Sequence, residues 1–240
     1  MVKSKIKTPL FVAIDTPDIK AARKLVQTVA PITGAIKLGL EFFVHNGPDG
    51  IRQVLDGLSA ALFLDLKLHD IPNTVAGAMR AAVALRPTFI TLHAAGGEVM
   101  MRAAVKAAME EAEKLGVPRP KILGVTVLTS LTDDDLKIMG HLIPAADQVR
   151  RLASLAQDCG LDGVVCSPHE IRELRTLCGK TFTLVCPGIR PKGSKTDDQK
   201  RTLTPPEACA AGANYLVMGR PITGAKDPAA AAREVLASIK

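Results

Sequence analysis

ALFLDLKLHDIPNT, residues 61–74, starts as an apolar run, takes on Asp65, Lys67 and Asp70 toward its end, and meets a helix-opening proline at Pro72. Side chains alternate along a strand, so Asp65 and Lys67 share one face while Leu64 and Leu66 share the other. The leucines suit a surface packed against helices. The two charges therefore point the opposite way, at the C-terminal end of a strand apolar on both faces. Such a strand is the kind that helices cover in a parallel sheet.

The same pattern recurs outward in both directions. Strands are read at 10–15, 34–39, 61–66, 88–93, 122–128, 162–166, 182–186 and 214–218. Helical patterns fall between them at 17–30, 48–58, 74–86, 97–115, 145–159, 168–178, 204–212 and 227–238. Eight βα units without a linker or composition shift predict one α/β domain over residues 1–240, a closed (β/α)8 TIM barrel. An open doubly wound sheet would call for a glycine-rich turn after its first strand, and VAIDTPD (12–18) has none. Most connections are short, but PGIRPKGSKTDDQKR (187–201) is long, polar and glycine-bearing, as binding loops and lids are.

Composition removes several classes. With 47% hydrophobic residues the 240-residue chain has material for a large core and is not a disordered polymer. Its apolar runs are too short to span a membrane. The N-terminal MVKSKIKTPLFVAID reads as a short basic tail entering the first strand, so a soluble cytoplasmic protein without membrane partners is expected. The five cysteines, at 159, 166, 178, 186 and 209, include no CxxC pair and read as small buried residues. A net charge of +7 invites nucleic acid, but the basic residues are scattered and one tyrosine with no tryptophan leaves little for stacking. The charge suits small anionic substrates equally well.

Catalytic groups in such barrels sit at the C-terminal ends of the strands. Strand 1 ends at Asp15, strand 2 carries Lys37, and strand 3 carries Asp65 and Lys67. Neighbouring strands lie about 4.8 Å apart, so these charges form one cluster. For Asp15, followed by Thr16-Pro17, capping of the next helix is a rival role. Asp70 has the wrong parity to join Asp65 and Lys67; it either caps the helix at Pro72 or points outward to a partner subunit's site. Thr129 ends strand 5 and is placed to bond a ligand's edge, although a plain turn residue fits too. His93 ends strand 4, where it could face the mouth, but packing in the core or behind the site is the stronger reading; His45, His69, His141 and His169 read as surface or loop residues. Across the mouth, VMGRPIT (217–223) offers Gly219 for close backbone approach to an anion, Arg220 as a forked cation and Pro221 to open a helix. The long loop adds Arg190, Gln199 and Arg201. No metal-ligand spacing, Walker loop or dinucleotide fingerprint is present.

Taken together, VAID (12–15), IKLG (36–39), LDLKLHDIPNT (64–74), HAAGG (93–97), VTVLTS (125–130), PGIRPKGS (187–194), DQKR (198–201) and MGRPIT (218–223) closely resemble the bacterial type of orotidine 5′-monophosphate decarboxylase. The resemblance implies a homodimeric barrel that converts orotidine 5′-monophosphate to uridine 5′-monophosphate and CO2 in pyrimidine biosynthesis, with no cofactor or metal. Position by position, it implies that Lys37, Asp65, Lys67 and Asp70 form a charged tetrad, Asp70 and Thr74 reaching the neighbouring subunit's site. Asp15 matches a ribose contact, Thr129 a residue at the pyrimidine edge, and Arg190, Gln199, Gly219 and Arg220 the phosphate and lid contacts. Cys186 departs from the pattern, standing where threonine is expected before Pro-Gly-Ile-Arg; altered strand-end packing is the expected result.

Rival readings remain at this point. A sugar-phosphate decarboxylase or aldolase sharing D-x-K-x-x-D would use Mg2+ and an enediolate. A non-catalytic phosphate-binding barrel would have no use for Lys67. A basic RNA-binding protein would show affinity that falls steeply with salt.

Overall fold

Eight short parallel strands pair in chain order and close on themselves, β1 bonding to β8, as the alternating pattern predicted. The computed structural model describes residue 6 and residues 8–192 and 202–239. The strands are β1 Leu10–Ile14, β2 Ala35–Gly39, β3 Ala61–Leu68, β4 Phe89–His93, β5 Lys121–Val125, β6 Gly163–Val165, β7 Thr183–Cys186 and β8 Tyr215–Met218. Around them lie α1 Ile19–Thr33, α2 Leu40–Leu55, α3 Pro72–Val83, α4 Gly97–Leu115, α5 Asp133–Ile138, α6 Ala145–Asp158, α7 Ile171–Cys178, α8 Pro205–Ala211, α9 Arg220–Thr223 and α10 Pro228–Ser238. Among the described residues, no helix is long and apolar enough to cross a membrane.

Strand alternation divides the apolar residues into two cores. Leu10, Val12 and Ile14 of β1, and Leu62, Leu64 and Leu66 of β3, face outward into the layer between sheet and helices. Phe11 and Ala13, and Ala61 and Phe63, face inward with Ala35, Phe89, Leu123, Val185 and Val217. Phe11, Phe63, Phe89 and Tyr215 pack with ring centroids 5.1–5.8 Å apart, mostly edge to face, and plug the barrel below its mouth. The cavity at the mouth opens on the C-terminal side of this apolar packing, with Phe63 and Lys37 both in its lining. Lys37 is in register with Ala13 on one side and Phe63 on the other.

Three local features depart from the sequence pattern. The predicted helix 48–58 is the second half of α2, which begins at Leu40 and bends at Gly47 (φ 60°, ψ −166°), just before Pro48. Only glycine takes that conformation without strain, so a break there preserves two helical halves. The predicted strand 122–128 stops at Val125, leaving Val127, Leu128 and Thr129 in the loop that follows. Helix α5 had no counterpart in the apolar pattern; it starts from a capping box in which Thr132 and Asp135 bond reciprocally.

Candidate active site

The cluster read from the strand ends is assembled in space. Asp65 is buried on β3, and its Oδ2 lies 2.9 Å from Lys67 Nζ and 3.5 Å from Lys37 Nζ. Lys37 Nζ is in turn 3.6 Å from Asp15 Oδ1, completing an alternating chain of acid and base across β1, β2 and β3. Helix α1 is capped by Asp18, whose Oδ1 accepts from the Ala21 N–H at 2.7 Å, so Asp15 is left to the cluster. Asp15 is 56% exposed and Lys67 32% exposed at their side chains, against 12% for Lys37 and Asp65; the outer two members meet the solvent of the mouth.

Burial pushes the Asp65 carboxyl upward, but the charges of Lys37 and Lys67 and the hydrogen bonds from Lys67 and Thr91 outweigh it. The group is held below its ordinary carboxylate range and stays ionised at neutral pH. Two cations facing one buried anion satisfy the condition under which a buried charge is tolerated.

Local backbone geometry sets the aim of Lys67. Its φ is 52°, a region that residues with a Cβ rarely enter, and the β3–β4 pairing slips register between Leu64 and Leu68. The Lys67 N–H, diverted from the ladder, donates to Thr91 Oγ1 at 2.9 Å. The Thr91 hydroxyl then donates to Asp65 Oδ1 at 2.8 Å. Thr91 was not among the residues singled out in the sequence, though a signal was present: it is a polar residue two positions before His93 in an otherwise apolar strand, on the same inward face.

The cluster forms one wall of a cavity of about 250 Å3 at the barrel mouth. Thr129 lines it from the loop after β5, Arg190 from the segment after β7, and Gly219 and Arg220 from the end of β8. A Cβ on Gly219 would stand 3.1 Å from Asp15 Oδ2, and one on Gly39 3.1 Å from Lys37 Nζ, so both glycines leave room for the charged side chains. Arg190 is buried, its guanidinium donating to the Ile189 carbonyl at 3.0 Å; Arg220 opens α9 at the exposed rim. Gln199 and Arg201 lie outside the described residues.

Asp70 and Thr74 do not line this cavity. Both are exposed; Asp70 Oδ1 accepts from the Ile71 N–H at 2.6 Å, and α3 begins without a side-chain cap. His93 is half-buried and stacks on His69 with ring centroids 5.3 Å apart. Desolvation pushes the His93 imidazole down, His69 and Lys67 push it further, and nearby Asp65 does not compensate. Cys159, Cys166, Cys178 and Cys186 are buried small residues as read, whereas Cys209 is only partly buried; Cys186 Sγ lies 3.7 Å from Cys166 Sγ at the ends of β7 and β6. Among the described residues, no three His, Cys, Asp or Glu side chains converge as a metal site.

Comparison with known proteins supplies an independent line. Residues 8–235 match the family described as Orotidine 5′-phosphate decarboxylase / HUMPS. The chain is similar to the orotidine 5′-phosphate decarboxylase of Rhodospirillum rubrum, 54% identical over 97% of this chain and 94% of that one. It is similar also to the one from Moorella thermoacetica, 50% identical over 100% of this chain and 95% of the relative. Among solved structures, an orotidine 5′-phosphate decarboxylase from Lactobacillus acidophilus superposes with a TM-score of 0.84 at 36% identity, over 98% of this chain and 100% of that one.

Proposed function

The chain belongs to the orotidine 5′-phosphate decarboxylase / HUMPS family, and on that premise we propose that it decarboxylates orotidine 5′-monophosphate to uridine 5′-monophosphate, with Lys67 stabilising and then protonating C6. The C6–carboxylate bond breaks, CO2 leaves, and the electron pair stays on C6, where the pyrimidine ring delocalises it poorly. A catalyst must place positive charge beside that carbon and then supply a proton. The Lys67 ammonium does both: it is a fixed cation in the mouth, and its proton passes to C6 to give the product. Solvent returns the proton to the amine after release.

The observation that carries this reading is the anchoring of Lys67 Nζ 2.9 Å from an ionised, buried Asp65 whose other oxygen is already bonded. An ammonium so held needs little reorganisation as charge develops. At ~4 Å and an effective dielectric of ~20, its attraction for the carbanion is worth up to ~4 kcal/mol, too little alone for a large acceleration. The remainder is assigned to binding energy from the phosphate end, realised at the distant carbon. In this assignment Arg190, Gly219, Arg220 and Gln199 hold the 5′-phosphate, Thr129 meets the pyrimidine edge, and Asp15 and Lys37 hold the ribose.

Asp70 and Thr74 complete the site of a second subunit in a two-fold dimer. Their exposure supports this, as does the exposed apolar set Leu40, Val44, Ile71 and Val99 on the same sector of βα units. The cytoplasm, where pyrimidine nucleotides are made, is the assigned compartment.

The test is turnover of orotidine 5′-monophosphate by purified protein in EDTA, followed by loss of substrate absorbance and release of CO2. Metal-independent formation of uridine 5′-monophosphate is expected. A requirement for Mg2+, or turnover of a sugar phosphate in its place, would move the chain to the rival enediolate chemistry.

A further inference from the structure

Thr91 occupies a position that the alternating charges do not explain. It is fully buried on β4, facing inward among Phe89, Asp65 and the register slip of β3. Its hydroxyl has one proton. Because Oγ1 accepts from the Lys67 N–H at 2.9 Å, that proton is committed to Asp65 Oδ1 at 2.8 Å. One oxygen thus ties the backbone of the residue carrying the ammonium to the carboxylate that aligns it. Thr91 holds Oδ1, and it is Oδ2 that faces Lys67 Nζ and Lys37 Nζ.

A regular strand would send the Lys67 N–H to a backbone carbonyl of a neighbouring strand. Here that ladder bond is replaced by a side chain, and Lys67 sits at φ 52°. Such geometry persists only where its surroundings over-determine it. Valine has nearly the same shape and suits a strand at least as well. Packing alone therefore gives no reason for a hydroxyl here; the two bonds do.

We infer that Thr91 is a positioning residue for the decarboxylation, acting through the Lys67 backbone and the Asp65 carboxylate to fix where the Lys67 ammonium stands. This rests on the assignment of Lys67 and Asp65 proposed for the site. Thr91 touches no substrate, so its loss acts on the chemical step and spares binding.

The test compares Thr91→Ser, Thr91→Cys and Thr91→Val in the intact protein, with cooperative unfolding confirmed for each. Serine keeps the donor and acceptor, cysteine keeps them weakly, and valine removes both. A misplacement near 1 Å costs on the order of 100-fold in rate, so kcat should fall roughly 10–100-fold in Thr91→Val while KM and product affinity change less than about threefold. Thr91→Ser should stay within about fivefold of wild type and Thr91→Cys should lie between; these two keep the order testable should the valine variant fail to fold. A second readout does not depend on turnover: exchange of the Lys67 amide hydrogen should quicken at least about tenfold in Thr91→Val or, in graded form, Thr91→Cys, and not in Thr91→Ser. Unchanged exchange, an activity order other than serine above cysteine above valine, or a loss confined to KM would overturn the inference. Lys67→Ala measured in parallel separates the two levels. If Lys67→Ala is inactive and Thr91→Val turns over about as fast as wild type, the positioning claim fails and the site assignment stands. Turnover that survives Lys67→Ala would overturn the assignment itself, and this inference with it.

Discussion

Replacing Asp65 by asparagine keeps the side chain's size and removes the one anion between two ammonium groups. The gross attractions lost follow from the distances of 2.9 Å to Lys67 and 3.5 Å to Lys37, ~6 and ~5 kcal/mol at an effective dielectric of ~20. Much of this is offset in the wild type by the desolvation of Asp65, and the variant escapes that cost. Breaking a fully buried pair typically costs about 3–5 kcal/mol; with Lys67 still 32% exposed to screening water, roughly 2–4 kcal/mol is expected. In urea that is a midpoint lower by about 1 M or more.

The sign of the pH dependence follows from the depressed Asp65 acidity. Its stabilising share is fully present above the ordinary carboxylate value of 3.8 and is lost as pH falls through the lower folded-state value. Urea unfolding of wild type and Asp65→Asn from pH 8 down to pH 2.5 should therefore show a constant gap to about pH 5 that narrows below about pH 3.8. Turnover of the variant should fall at least about 100-fold, because Lys67 loses its anchor. Equal stability at pH 7, or a gap that persists unchanged into strong acid, would refute the claim that charge pairing holds this cluster together.

Two further predictions address the other end of the cavity and the neighbouring subunit. Arg220→Ala should raise KM and lower kcat together, since the phosphate grip is assigned to the transition state, and added phosphite should partly restore turnover of a substrate lacking its phosphate; no rescue at any concentration would separate Arg220 from that role. Mixing Asp70→Ala chains with Lys67→Ala chains should restore activity. Random pairing makes half the dimers hybrids, each with one intact site, so roughly a quarter of all sites recover; hybrids verified with two different tags that remain inactive would place Asp70 in its own subunit's site.

The barrel was legible because its strands are apolar on both faces and recur between helical patterns, a signal that survives errors of a few residues at each end. The charged wall was legible for a simpler reason. Asp65 and Lys67 interrupt an apolar strand at a shared parity, and ionised groups do not enter a narrow interior without partners. That parity argument reached the right face by an incomplete route: β3 does not run regularly to Lys67, and a register slip with φ 52° aims the side chain. Nothing in LDLKLHD marks a bulge, because the residue at positive φ is lysine rather than glycine. Thr91 escaped notice because threonine is common in strands, and only the bonding partners distinguish a clamp from a filler. Helix α5 escaped because it is short and rests on its cap more than on an apolar stripe. Asp70 drew attention by its strand parity and Thr74 by resemblance alone, and a single chain leaves both at its surface.

The most direct test of the central claim is the turnover number of Lys67→Ala, measured on protein shown to unfold cooperatively and to bind uridine 5′-monophosphate as the wild type does. Loss of the group that both stabilises and protonates C6 should lower kcat by more than about 100-fold, the smallest effect ordinarily seen for a general acid, with little change in product affinity. A folded, product-binding Lys67→Ala variant that keeps more than about a hundredth of wild-type turnover would contradict the account.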